Sequence, residues 1–331
     1  MRAFIFSLVS AGLTLAAHAA QEWTVVDLGT LGGSMSYGAA VSENGYVVGC
    51  SETSTGGIHA FIYQDGAMRD LEPGSGSASS CALAVNNGGV AAGRSATGEL
   101  VVWNGASVTR LGVQGDVGGI NEKNVVVGTY KSGDANRAFI YANGALSDLG
   151  SLGGTYTTAA GINERNQVCG SSNGRAFLYD GGTMRDLGTL GGGGASAKGI
   201  NDRGEVVGMA STGNAYPAPF IYDGAIHAVP SGPSYSAAVA INNRGQVVGS
   251  GEGIHGYLID SNGYARLDTM TAVTLKGWRH MEPTGINDRG WIVGTGVNAN
   301  GDTHAFLLVP AEGSQNPNSR TLRDFSLIHR H

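Results

Sequence analysis

Chemistry-bearing side chains concentrate between Asp268 and Pro283, where Lys276, Trp278, Arg279, His280 and Glu282 stand together in a chain that is only 14% charged. A carboxylate beside an imidazole suits acid/base work on a glycosidic bond. That reaction takes two carboxyl groups at a defined separation, and Glu52, Asp116, Asp134, Glu252 and Asp302 are all eligible partners for Glu282 or His280. A ring flanked by cations suits binding equally. Tyr37, Tyr156 and Tyr235 fall in corresponding segments elsewhere, so with Trp278 four aromatic rings can border one opening and stack on a sugar; packing between neighbouring structural units is their plainer role. Tyr37, Tyr156, Tyr235, Lys276, Trp278, Arg279, His280 and Glu282 are the candidate ligand-binding residues, and no catalytic residue is assigned.

The remaining reactive types read as structural. His59, His255 and His304 share one repeat position with Glu99, Arg137, Arg175 and Ala218, a mixture that no ring of metal ligands tolerates. They read as polar residues opening a strand and bonding an aspartate such as Asp27 or Asp186. Asn298 to Asp302 lacks the spaced acids of a calcium loop, and the Leu-Gly-Gly segments lack the following helix that phosphate sites use. Neither a metal nor a cofactor is expected. Three cysteines allow one bridge at most: Cys50 and Cys81 can pair, while Cys169, standing where other repeats have Val48, Ala92, Val127, Val207, Val248 and Val293, reads as a small core residue.

What must position these residues is an internal repeat. The line INERNQVCG (Ile162 to Gly170) returns as VSENGYVVG, VNNGGVAAG, INEKNVVVG, INDRGEVVG, INNRGQVVG and INDRGWIVG, ending at Gly49, Gly93, Gly128, Gly208, Gly249 and Gly294. The spacing runs from 35 to 45 residues, within the range of repeat architectures. Its fifth position is always Gly or Asn, the types that accept positive φ most cheaply, and its second is Asn or, once, Ser42. Such side chains bond the backbone two residues on, so each line reads as a tight hairpin joining two strands, here called a and b. A second line, HAFIYQDG (His59 to Gly66), supplies strand c, and a short strand d ends near Asp70-Leu71 or Asp186-Leu187-Gly188. These apolar runs bounded by turn residues read as buried strands.

The phase of the repeat selects an architecture. A lone strand d, Trp23 to Leu28, opens the repeat region, and the last repeat stops after strand c, His304 to Leu308. An all-β, seven-bladed β-propeller closes its ring by letting one terminal strand complete the other's blade, which hides two edges at once; a β-solenoid is the alternative. Strand a lines the axis, and the residue before its Ile or Val is always small: Ala40, Ala84, Gly119, Gly161, Gly199, Ala240 or Gly285. Close approach of neighbouring strands would demand that.

These motifs resemble the bacterial extracellular family named for its His-Ala-Phe repeat. The resemblance covers Trp23 to Pro310 and rests on DLGTLGG (Asp27 to Gly33, Asp186 to Gly192), DLGSLGG (Asp148 to Gly154) and HAF at His59 and His304. It implies an exported protein of unassigned activity, with no catalytic residues to carry over. The chain departs from the motif at Glu99, which replaces His, and after Leu111-Gly112, where the Leu-Gly-Gly element is missing.

Composition bounds the rest. Arg2, an apolar run from Ala3 to Ala17 and the small-residue site Ala17-His18-Ala19 read as a secretory signal over residues 1–19, followed by one domain over 20–310 and a tail over 311–331 that reads as disordered. A periplasmic or extracellular location follows. The formal charge of −6 carries no basic block, so nucleic acid is not an expected partner, and no later segment is long and apolar enough to span a bilayer. In a propeller the variable b–c loops and d–a connections share one face, and loops on a rigid frame are where binding resides. A monomeric binding module for a glycan, a peptide or a cell-surface protein is the first functional expectation. An extracellular polysaccharide hydrolase or lyase, and a purely structural surface repeat protein, are the alternatives.

Overall fold

A computed structural model describes residues 22–311 apart from 214, 215, 231, 234 and 252–254. The expected leader, Glu252 and all of the expected tail but Ala311 lie outside the described residues. Trp23–Asp27 pairs antiparallel with Thr303–Pro310, from Trp23 opposite Pro310 to Asp27 opposite Phe306, and becomes the outermost strand of the sheet formed with Ile292–Val297 and Arg279–Ile286. That pairing closes a ring, and the chain is an all-β propeller of seven blades. In blade 1 the order from axis to rim is Gly32–Val41 (a), Val47–Thr53 (b), Ile58–Gln64 (c) and Ala67–Asp70 (d).

Blades 2 and 3 depart from this pattern. A single strand, Ser107–Ile120, pairs at its start with strand c of blade 2 (Glu99–Asn104) and at its end with strand b of blade 3 (Val126–Ser132). It is strand d of one blade and strand a of the next, with no loop between them. One sheet therefore runs through both blades.

The repeated residues each have a mechanical reason. The fifth residue of every a–b turn has positive φ, from 58° at Asn124 to 81° at Gly45. Every inner strand carries a bulge, which presses one of its carbonyls toward strand b. At Gly49 a Cβ would lie 1.9 Å from Tyr37 O and 2.9 Å from the ring of Phe61; only glycine fits. The core lies in wedges between blades, as where Val48, Ala60 and Ile62 of blade 1 meet Ala82, Ala91, Val101 and Trp103 of blade 2. Cys50 and Cys81 join these two blades through a disulfide, with sulfurs 1.99 Å and Cα atoms 4.7 Å apart. Cys169 is wholly buried and its thiol is pushed up to about 12 by burial.

Candidate functional site

The antiparallel register sets the a–b and c–d turns on one face and the b–c loops and d–a connections on the other. On the turn face polar groups serve one another. The second-position asparagines cap their own turns through Oδ1, as Asn201 does by accepting from the N–H groups of Arg203 and Glu205. Through Nδ2 they also reach the next blade: Asn86 to Asn121 O, Asn121 to Asn163 O, Asn163 to Asn201 O, Asn201 to Asn242 O, Asn242 to Asn287 O and Asn287 to Ser42 O, at 2.8 to 3.2 Å. The third position makes a complete circle. The N–H of Glu43 donates to Asn87 Oδ1, Asn87 to Glu122, Glu122 to Glu164, Glu164 to Asp202, Asp202 to Asn243, Asn243 to Asp288 and Asp288 back to Glu43. Burial pushes the Glu43 carboxyl up, opposed by the N–H of Asp288. This belt ties all seven blades on the face away from the loops.

On the loop face, the segment from Asp268 to Pro283 corrects the sequence expectation. It contains a short helix, Thr271–Leu275, and its apolar residues Met270, Val273, Trp278 and Met281 are buried against Trp23, Phe306 and Leu308. Trp278 is only 7% exposed and meets Phe306 edge-on at 6.0 Å; it seals the closing blade and offers no face to a sugar. Lys276, Arg279, His280 and Glu282 are exposed. His280 sits in a bulge at φ 51°, and neither it nor the Glu282 side chain has a hydrogen-bond or ion-pair partner among the described residues. The acid/base pair considered for this segment is not assembled around them. Tyr37, Tyr156 and Tyr235 are 39%, 51% and 46% exposed, on blades 1, 4 and 6. Tyr235, at φ 57°, stacks on Tyr216 at 4.7 Å. Of the four rings, Trp278 is buried and Tyr156 lines a cleft on the loop face.

The strand-c position that holds three histidines is paired with a charged group on strand d or just beyond it. His59 Nδ1 lies 2.7 Å from Asp70, His304 Nδ1 2.7 Å from Asp27 and His255 Nδ1 3.2 Å from Asp268, while Arg137 and Arg175 face Asp148 and Asp186 at 3.8 and 3.5 Å. Blade 2 has the pair reversed: Glu99 meets Arg110, which occupies the aspartate's register position. In blade 5 both charges are gone, leaving Ala218 and Ala228. Ser75 Oγ lies 3.0 Å from His59 Nε2, so Ser75, His59 and Asp70 have the outline of a nucleophile, base and acid. Their remaining bonds give a different reading. Gly76 O also contacts Nε2 at 2.9 Å and Ser75 Oγ donates to Glu72 O at 2.9 Å, so the imidazole donates at both nitrogens and pins the loop after Asp70. Burial pulls the His59 pKa down, but its bonds to Asp70 and Gly76 outweigh that and leave it raised.

A broad concavity opens on the loop face over blades 2 to 6, beside the strand that blades 2 and 3 share. It has a volume of about 770 Å³, with Arg94, Asp116, Lys131, Asn136, Tyr156 and Lys198 among its lining residues. Arg94 pairs with Asp116 at 3.3 Å. Lys131 and Lys198 have no ion-pair partner among the described residues. Beneath the cleft runs the central channel, a cavity of about 260 Å³ to which every inner strand contributes. Of the residues expected to bind, only Tyr156 belongs to this cleft. Lys198 carries no repeat signal, since at its position the other blades have Ala39, Leu83, Gly118, Ala160, Val239 and Thr284.

No protein-family model and no curated protein matches the chain. Solved structures do. YCF48 bound to D1 peptide matches with a TM-score of 0.53 at 11% identity, over 87% of this chain and 96% of that one. The β-propeller domain of the Trilobed protease from Pyrococcus furiosus, of open velcro topology, matches at 0.53 and 10% identity over 87% and 95%. A puromycin-hydrolysing peptidase of Mycobacterium tuberculosis matches at 0.55 and 12% identity over 96% of this chain but only 54% of its own. At these identities the likeness is one of fold.

Proposed function

We propose that the chain is an exported, monomeric binding module of the His-Ala-Phe repeat type, which holds a ligand in the loop-face cleft above the channel. One observation carries the reading: the turn face pairs polar groups blade to blade, whereas the cleft leaves Lys131 and Lys198 without an ionic partner among the described residues, beside a half-exposed Tyr156. Polar groups placed in a concave site are the features that orient a ligand. That YCF48, a propeller, is bound to a peptide supports the use of such a ring for binding. The test is an array of glycans and peptides probed with the wild-type chain, with Tyr156→Ala and Lys131→Glu in the cleft, and with Lys276→Ala and Arg279→Ala on the closing segment. Binding lost in the first pair and kept in the second is the expected result. A blank array, or a ligand indifferent to both cleft variants, would remove the reading.

A further inference from the structure

Resting on that reading, we infer that the cleft takes a carboxylate-bearing oligosaccharide of the uronic-acid type, with an acid group met by Lys198 at the channel mouth and others by Lys131 and Arg94.

The bulges carry this furthest. Each inner strand sets one extra residue at its bulge, and these seven, Lys198 with its six small or uncharged counterparts, all line the channel. Six are Ala39, Leu83, Gly118, Ala160, Val239 and Thr284, and the Thr284 hydroxyl already donates to Gly38 O at 3.0 Å. Lys198 is thus the one charge in the ring, with no counter-ion among the described residues, and it also lines the cleft above. Low-dielectric walls around a lone cation focus its field toward the opening. An anion arriving there meets a charge that no carboxylate among the described residues pairs with.

The cleft repeats that imbalance on a larger scale. Its lining holds three cations and one carboxylate, Asp116, although the chain as a whole has a formal charge of −6. Attraction of this sign is local, not a property of the whole surface. The ligand should therefore carry several negative charges along its length. Peptides are usually anchored by apolar side chains in pockets or by pairing with a free strand edge. Here the inner strands are paired, and apart from Tyr130 and Tyr156 the lining consists of charged or polar side chains and of Gly, Ala and Val. Hydroxyl-rich rings bearing carboxylates match that lining better, with Tyr156 available to face one of them.

The test titrates the full chain calorimetrically with hexagalacturonate, hexaguluronate, methyl-esterified hexagalacturonate and hexaglutamate, at low and high salt. At least one of the two acidic sugars should bind, and the esterified one should bind at least tenfold more weakly than its acid. Screening by salt should weaken the acidic complex. Lys198→Met should cost tenfold or more and Lys131→Met about threefold, an incremental loss of the size that one modest ion pair contributes. Lys123→Met, on the turn face, should change affinity less than twofold, and melting curves show whether each variant is folded. Equal binding of the ester, no loss with folded Lys198→Met, or tighter binding of hexaglutamate would overturn the inference while leaving the binding module standing. Failure of all four probes together with a blank array would overturn both.

Discussion

The two faces of the ring are built from the same repeats and treat charge in opposite ways. On the turn face five carboxylates and two amides accept one N–H each from the preceding blade and close a circle. On the loop face cations gather in a cleft with one carboxylate among them. The turn face thus spends its polarity on holding the blades together, and the loop face keeps some available for another molecule. The difference teaches that a repeat protein's function is to be sought where a blade breaks the pattern: at the strand shared by blades 2 and 3 and at Lys198.

Breaking the asparagine series that links the a–b turns should have the largest effect on stability. Asn201 is 4% exposed; it caps its own turn and donates to Glu205 and Asn242, so Asn201→Ala strands several buried partners and should cost roughly 4 kcal/mol. Urea unfolding measures this, and ligand affinity of the folded fraction should be unchanged. A cost below about 1 kcal/mol would mean that the asparagine bonds between blades are decorative.

The loop face has a covalent tie instead. The disulfide spans 31 residues, and the double variant Cys50→Ser, Cys81→Ser should lose about 3.7 kcal/mol by loop-closure entropy. Thiol titration under denaturing conditions should find one free cysteine in the wild type, Cys169; three would contradict the bridge.

A smaller effect is expected at His59, which Asp70 and Glu72 face. Its pKa is raised in the folded chain, so its contribution is fully present below the unfolded value, about 6.5, and is lost as pH rises through the folded value. Limited proteolysis of the loop after Asp70 should accelerate from mildly acid to alkaline pH, and His59→Gln should flatten that profile. Acceleration toward acid pH would refute the assignment of the imidazole as a double donor. Smallest of all should be the charge swap Glu99→Arg with Arg110→Asp, which restores the polarity of blades 3 and 4. Both side chains are partly exposed, so melting should move by less than about 0.5 kcal/mol.

Much of the frame was legible in the residues. Gly49 and its six counterparts, the small residues before Ile162 and its equivalents, and the lone strand at Trp23 together specify hairpins, crowding at an axis and circular closure. The buried helical segment before Arg279 was not, although Leu267, Met270, Val273 and Trp278 are apolar residues of the kind that pack a short helix on a blade; the charges between them read as solvent-facing instead. The belt was also within reach, since Glu43, Asn87, Glu122, Glu164, Asp202, Asn243 and Asp288 all bear an acceptor. Recognising it required knowing that each acceptor faces the neighbouring blade, a relation between repeats that no single repeat displays. The cleft is legible only as an absence after Gly112, and absence in a sequence has no shape until the strands around it are placed.

Blade 7 assembles from residues near both ends of the described chain. Lengthening a loop adds to its closure entropy only logarithmically, so this latch is inexpensive at equilibrium, but distant strand pairings form slowly. Until Trp23–Asp27 docks, Thr303–Pro310 presents an open edge to any strand of matching register, including the same segment of a second copy. Refolding at high concentration should then yield exchanged oligomers in which each ring borrows its outermost strand, and dilution should favour rings that latch themselves.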